Sequence, residues 1–292
     1  MSAPIALLAN PSAANGRSLE CLEIVRATLE ARSADYHVAT PRGREAARQV
    51  AREAAERGAT VAAVGGDGTI GLIAGALRGT RGRLAVIPAG RGNDFARVLK
   101  IPADPAAAAL VAIEGMERTV DVGDVDGETF VCIASFGFDS DANRIANEAR
   151  LVKGNLVYLY AALRALLSWK HADFRVVIDG EPHDFRGWSV AVANSKAYGG
   201  GMYLAPDAEL DDGRLDVVMV SESNKRTFLR DLPKVFKGTH TTNPRVRTLR
   251  GTKVEVSADR AFDIYADGDR IATLPATVSV TPRSLKVLVP NG

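Results

Sequence analysis

Two glycine-punctuated turns, at matching places in consecutive strand-to-helix units, constrain this chain more than any other feature. They are Val64-Gly65-Gly66-Asp67-Gly68-Thr69 and Pro88-Ala89-Gly90-Arg91-Gly92-Asn93-Asp94-Phe95. The apolar run 59–64 precedes the first turn and the run 70–77 follows it, so the pattern predicts a buried strand, a tight turn and a helix. Gly65, Gly66 and Gly68 carry no side chain to hold off a ligand, and backbone N–H groups can converge there on phosphate oxygens at the positive end of the helix. A carboxylate beside phosphates is repulsive unless it holds Mg²⁺ or meets the phosphoryl acceptor, so Asp67 points to chemistry on phosphate. The second turn repeats the arrangement, with 84–87 as strand and Asn93 and Asp94 near the start of the next helix. The structural alternative is a glycine-rich connection whose Asp caps the helix.

Neither turn is a common nucleotide fingerprint. A Walker loop needs a Lys after its last glycine, which Thr69-Ile70 does not supply, and a dinucleotide fingerprint would not place Asp inside the turn. Gly65-Gly66-Asp67-Gly68-Thr69 together with 88–97 resembles the diacylglycerol kinase catalytic family, especially its soluble bacterial lipid kinases. The first motif alone is shared with NAD kinases and 6-phosphofructokinases; the second narrows the choice. Asn10-Pro11, Thr40, Gly137-Phe138-Asp139, Lys153-Gly154-Asn155-Leu156, the glycines 199–201 with Met202, Pro206, Asp212-Gly213, His240, Pro244 and Asp267-Gly268-Asp269 resemble family landmarks in order.

The resemblance implies transfer of the γ-phosphate of ATP to a lipid hydroxyl, with diacylglycerol the leading acceptor and sphingosine, ceramide and phosphatidylglycerol also used by relatives. It implies an α/β N-terminal nucleotide-binding domain and a mostly antiparallel β-rich C-terminal domain, with the active site between them. The expected division is 1–117 plus 283–292 for the ATP-binding domain and 118–282 for the lipid-binding and catalytic domain. Nucleotide contacts carry over onto Asn10, Thr40, Gly66, Gly68 and Thr69, and the two turns add Gly65, Asp67, Gly90, Arg91, Asn93 and Asp94. Arg91 stands where the family commonly holds Thr and offers charged donors to phosphate. Asp67 would support Mg²⁺ directly or through water, with Asp94 completing that network. A second Mg²⁺ would sit at Glu209, Asp212 and Arg214, the first and last through main-chain oxygen; a solvated acidic turn is the alternative there.

By the same resemblance the proton acceptor falls in Asp267-Gly268-Asp269, where the usual form is Asp-Gly-Glu. Asp267 is the first choice of base and Asp269 its partner or substitute. Two other functions stay open: a soluble metabolite kinase of the NAD kinase or phosphofructokinase type, and a nonenzymatic nucleotide- or lipid-binding protein.

Before the second turn the pattern predicts βα units: a strand at 5–9, a helix at 17–31 with Leu19, Leu22, Val25 and Leu29 as its apolar stripe, a strand at 36–39 and a helix at 44–57. A helix at 106–113 follows the second turn. From Arg118 onward strands dominate. Those at 119–123 and 129–134 are joined by Asp126-Gly127, a helical interval spans 143–168, and Asp179-Gly180 and Asp267-Gly268 mark further hairpins.

At 292 residues, with 46% hydrophobic and 25% charged, the chain is long enough for two cored domains. Cys21 and Cys132 lack metal or redox spacing and read as reduced core residues, which fits a cytoplasmic location. The start, Met1-Ser2-Ala3-Pro4, lacks the basic segment of a signal peptide, and no apolar stretch reaches the roughly 18 residues of a spanning helix. Membrane lipid is therefore expected to be met by peripheral contact, transiently at the inner face of the membrane. The net charge of +2 excludes little. Its distribution is more telling: Lys225, Arg226, Arg230, Lys234, Lys237, Arg245, Arg247, Arg250 and Lys253 are opposed only by Asp231, with Phe228, Leu229, Leu232, Val235 and Phe236 interleaved. This suits an interfacial helix meeting anionic phospholipid, a solvated basic face being the alternative. No nucleic-acid partner is expected, and a homodimer is left open.

Overall fold

The computed structural model describes residues 4–9, 17–148 and 156–291. Two of the family landmarks, Asn10-Pro11 and Lys153-Gly154-Asn155, lie outside the described residues. The chain divides into two compact units, Met1–Val122 with Pro282–Gly292, and Gly123–Thr281.

The first unit alternates strands and helices: β1 (Ile5–Ala9), α1 (Arg17–Ala31), β2 (Tyr36–Ala39), α2 (Arg44–Glu56), β3 (Thr60–Gly65), α3 (Asp67–Leu77), β4 (Arg83–Pro88), α4 (Asp94–Val98), α5 (Pro105–Glu114) and the start of β5 (Met116–Val125). β1 lies between β2 and β3, and β4 continues the sheet beyond β3, all parallel. Every residue of β1 and β3 is buried, as apolar runs without alternation require of a sheet covered on both faces. The helix α1 buries Ser18, Leu22, Val25 and Leu29, while Leu19 from the expected stripe stays 44% exposed. Residues 18, 22, 25 and 29 follow the helical period more closely than a stripe begun at 19. Asp104 caps α5 by accepting from the Ala107 amide at 2.8 Å, with Pro105 in the first turn, where a missing N–H costs nothing.

The second unit holds β6 (Glu128–Phe130), β7 (Ile133–Gly137), α6 (Phe138–Glu148), α7 (Leu156–Ser168), β8 (Ala172–Ile178), β9 (Glu181–Ala193), β10 (Leu215–Ser221), α8 (Lys225–Val235), β11 (Val246–Gly251), β12 (Lys253–Ala258), β13 (Asp263–Ala266), β14 (Asp269–Thr273) and the start of β15 (Ala276–Val289). Pairing is antiparallel: β9 is flanked by β8, β7 and β10 along its length, β12 joins β8 to β15, and β13 joins β7 to β14. Further along β15, Lys286 and Val287 pair in parallel with β4 of the first unit. This is an α/β N-terminal domain followed by a mostly β C-terminal one.

Two expectations need correction. The strand expected at 129–134 is interrupted at Val131 and Cys132, whose amides leave the ladder for the Asp267 carboxylate. The helical interval expected at 143–168 begins earlier, at Phe138, and is two helices. Gly137 makes the early start work: its φ of 91° turns β7 directly into α6, and a Cβ there would lie 2.8 Å from the Trp188 carbonyl oxygen. The core of this unit centres on aromatic rings. Phe138 meets Trp169 and Trp188 edge-on, each at 5.5 Å, and Trp188 stacks on Phe228 of α8 at 4.1 Å. Such pairs are worth about 0.5–1.5 kcal/mol beyond area burial, enough to pin α8 through one side chain.

Candidate active site

The two glycine turns meet. A Cβ on Gly66 would stand 3.1 Å from the Cα of Gly90, and one on Gly90 would fall onto the Gly66 backbone. The pairing of β3 with β4 sets this contact, since Gly65 faces Pro88 in register and the Ala89 amide donates to the Gly65 carbonyl at 2.9 Å. Thr69 packs over Gly65, where any Cβ would lie 2.6 Å from that of Thr69. Gly66 is the N-cap of α3 and supplies no side-chain cap, so the first amides of α3 open onto the junction.

Asp67 does not cap its own helix. It is the first residue of α3, and its Oδ1 accepts from the Phe95 amide at 3.3 Å, across to the start of α4. Burial foremost, and then the charge of neighbouring Asp94, push the Asp67 carboxyl up to about 6, against the pull of the amides of Phe95, Asp94 and Asn93. Asp94 is buried and ion-paired with Arg97 at 2.6 Å. Asn93, in the left-handed region at φ 53°, closes the second turn: its Oδ1 accepts from the Gly90 amide at 2.8 Å and its Nδ2 donates to the Gly90 carbonyl at 3.1 Å. Asn93 thus shapes the turn, a role the sequence alone does not separate from phosphate contact. Arg91 is exposed, and so is Thr40 after β2. Gly68 is half-buried in the first turn of α3, and Asn10 lies outside the described residues.

Among the described residues no group of three or more His, Cys, Asp and Glu side chains gathers as a cage for a metal. Mg²⁺ does not need one, since it takes one or two carboxylates together with substrate phosphates and water; Asp67 and Asp94, whose charges repel, could hold one in that way. At the other expected metal position a cation is already built in. Arg250 approaches Asp212 at 3.5 Å and Asp216 at 3.1 Å, and donates to the Asp207 carbonyl at 2.7 Å. Asp212 also accepts from the Arg214 amide at 2.9 Å, while Glu209 and Arg214 have exposed side chains.

In the second unit, Asp267 has each carboxylate oxygen engaged by a backbone amide, Val131 at 2.7 Å and Cys132 at 2.8 Å. The Asp126-Gly127 and Asp179-Gly180 hairpins use their aspartates alike. Asp126 accepts from the Thr277 amide at 3.2 Å, and Asp179 from the amides of Thr252 and Lys253 at 3.0 and 2.8 Å. All three aspartates have positive φ, from 48° to 52°, and each ties its hairpin to a neighbouring segment. Asp269 is half-buried at the start of β14.

The second unit also contains a cavity of about 1070 Å³, counting its open mouth. Phe138 and Ala142 of α6, Met202, and Phe228, Leu232 and Val235 of α8 form apolar walls, interrupted by Asp139, Asn143, Ser189 and His240. Burial pushes the Asp139 carboxyl up to about 6, opposed by a hydrogen bond from Ser189. Asp139 and His240 stand out in the sequence only as landmarks without roles. What gathers them is the packing of α6 and α8 against the sheet, which no local pattern announces.

Residues 4–125 match the diacylglycerol kinase catalytic domain and residues 132–289 the YegS C-terminal NAD kinase β-sandwich-like domain. A diacylglycerol kinase of Mycobacterium tuberculosis is 33% identical over 98% of this chain and 95% of its own length. A probable lipid kinase YegS-like protein of Pseudomonas aeruginosa is 32% identical over 84% of this chain and 82% of its own. Two crystal structures of Bacillus anthracis proteins share the fold, with TM-scores of 0.81 at 22% identity and 0.74 at 20%, each covering 99% of this chain and 97% of that one. The second of them is a diacylglycerol kinase. The matched catalytic domain makes this chain a phosphotransferase of the lipid kinase class, which implies use of a nucleotide and Mg²⁺. With both halves matched, and with a relative 33% identical over 98% of this sequence, the chain belongs to the diacylglycerol kinase catalytic family.

Proposed function

We propose that this chain transfers the γ-phosphate of ATP to the hydroxyl of a membrane lipid, with diacylglycerol the first acceptor to test. The observation that carries the reading is the abutment of Gly66 and Gly90 beside Asp67. Two backbones that exclude side chains leave room for phosphate oxygens against the open amides of α3. Asp67 and Asp94 would hold Mg²⁺, which when bound neutralises charge on the phosphoryl group in transfer. Exposed Arg91 supplies donors to the outer phosphates, and Asn93 keeps the second turn in shape. Thr40 and Asn10 remain proposed nucleotide contacts. Glu209, Asp212 and Arg214 remain a proposed Mg²⁺ position, with Arg250 sharing the charge of Asp212.

For the base we favour Asp269 over Asp267. The carboxylate of Asp267 is committed to two backbone amides, as that of Asp179 is, so it positions the hairpin while Asp269 takes the proton of the attacking hydroxyl. The apolar cavity offers a place for an acyl chain. No helix among the described residues is long and apolar enough to cross a membrane, and α8 offers a way of meeting one. Its inner face lines the cavity, while Lys225, Arg226, Arg230 and Lys234 are exposed, with Leu229 38% exposed among them and Phe236 47% exposed just beyond. An ATP-dependent transfer screen across diacylglycerol, monoacylglycerol, ceramide, sphingosine and phosphatidylglycerol, with products identified by mass, tests the reading. Phosphorylation of a water-soluble metabolite and of none of the lipids would overturn it.

A further inference from the structure

The sheet fixes one arginine over the acidic segment 207–216. β10 and β11 run antiparallel with Asp216 directly opposite Arg250, so the register sets the guanidinium beside a carboxylate on a residue only 2% exposed. Opposite charges facing each other across a strand pair stabilise it, and here the acid is buried. Burial raises the Asp216 carboxyl, and the hydrogen bond and charge of Arg250 oppose that rise. A charge at such depth is costly without a partner, which ties Arg250 to this place.

Each nitrogen of the guanidinium meets an oxygen of the segment. Nε stands 3.1 Å from Asp216 Oδ1, Nη1 3.5 Å from Asp212 Oδ2, and Nη2 donates to the Asp207 carbonyl at 2.7 Å. Two carboxylates and a main-chain carbonyl are the hard-oxygen set that a divalent ion would take. Asp212, the side chain expected to hold Mg²⁺ there, is engaged on both oxygens, since its Oδ1 accepts from the Arg214 amide at 2.9 Å. An ion on the same oxygens would meet a fixed positive charge at contact range, where salt does not screen the repulsion. The fit to a structural Mg²⁺ is therefore poor, because the ion would have to win Asp212 from Arg250.

We propose that Arg250 is the resident cation of this segment and stands in for a structural metal, so that the fold needs no divalent ion and metal holds the segment appreciably only when Arg250 is removed. Mg²⁺ at the Asp212 position must compete with the guanidinium and adds nothing to folding. The proposal does not rest on the lipid kinase reading, which calls on Mg²⁺ at Asp67 and Asp94.

The test follows thermal unfolding of the nucleotide-free protein in EDTA, in millimolar Mg²⁺ and in millimolar Ca²⁺. The parent, Asp212→Asn, Arg250→Met and the double variant are compared. The parent is expected to gain no more from metal than Asp212→Asn gains. Arg250→Met should melt roughly 5 °C or more below the parent in EDTA, because Asp216 loses its counter-charge. Metal should restore most of that loss, and adding Asp212→Asn should abolish the restoration. A metal-dependent rise in the parent that Asp212→Asn removes would overturn the proposal. So would a folded Arg250→Met protein that melts with the parent in EDTA, or one that neither ion stabilises. The comparison of parent with Asp212→Asn decides the need for metal even where Arg250→Met does not fold. Phosphate transfer enters none of these readouts, so failure of the kinase reading is seen separately, in the lipid screen.

Discussion

Gly66 and Gly90 approach so closely that a side-chain carbon on the first would lie 3.1 Å from the Cα of the second. The contact joins two turns 24 residues apart and leaves no room for even a methyl group on Gly90. Gly90→Ala is therefore expected to force the turns apart at a cost of about 1–3 kcal/mol. Mg·ATP affinity should fall at least tenfold by titration calorimetry. Parental affinity in the variant would mean that the junction does not receive phosphate.

Asp267 and Asp269 should separate by readout. Asp267→Asn replaces one acceptor with an NH₂ facing a backbone amide, so it should lower stability by roughly 1–3 kcal/mol in denaturant unfolding. Asp269→Asn should leave the melting temperature and Mg·ATP binding near parental values and abolish turnover. Full activity in Asp269→Asn would move the base elsewhere.

Asp139 gives a pH dependence. Its folded-state carboxyl is raised by burial to about 6 from an ordinary value of 3.8, so the native state binds the proton more tightly than the unfolded chain. Stability from this group is present below the ordinary value and is lost as pH rises toward 6. Asp139→Asn should thus raise the melting temperature relative to the parent at pH 8, with the gain fading as pH falls toward 4. A gain of the same size at both pH values would contradict the burial of this charge.

The basic face of α8 should matter only at a surface. Lys225 donates to the Leu167 carbonyl at 3.0 Å, so the cleaner substitution is Arg226, Arg230, Lys234 and Lys237 to Gln. Each such charge is worth about 1 kcal/mol near anionic lipid, so vesicle binding should fall at least tenfold at low salt. Activity toward a short-chain soluble acceptor should be spared. Equal sedimentation of parent and variant with anionic vesicles would reject this face.

Local signals made part of this legible. The glycine turns, the buried runs of β1 and β3 and the three Asp-Gly hairpins each lie within a few residues of sequence, where backbone geometry dictates residue type. Contacts over long separations were not legible. Asp67 reaches Phe95, and Asp267 reaches back to Val131 and Cys132, breaking a strand that reads as continuous. Arg250 enters the acidic loop from a distant strand, so charge balance at Asp212 is invisible to a pattern of turn residues. Nor does a lone histidine at 240 announce that one of its nitrogens is spent on Leu204 and that the other has no hydrogen-bond partner among the described residues.

Asp67 is the residue on which the proposed phosphoryl transfer depends most directly. Purified parent and Asp67→Asn should be assayed with saturating Mg·ATP and micellar diacylglycerol or monoacylglycerol, with the phosphorylated lipid measured by mass. Asparagine can still accept from the Phe95 amide, so the fold should survive. Turnover should fall by at least about a hundredfold, as expected for loss of a group that organises metal and phosphate in the transition state. Parental turnover by the folded variant would show that the carboxylate between the glycine turns takes no part in phosphoryl transfer.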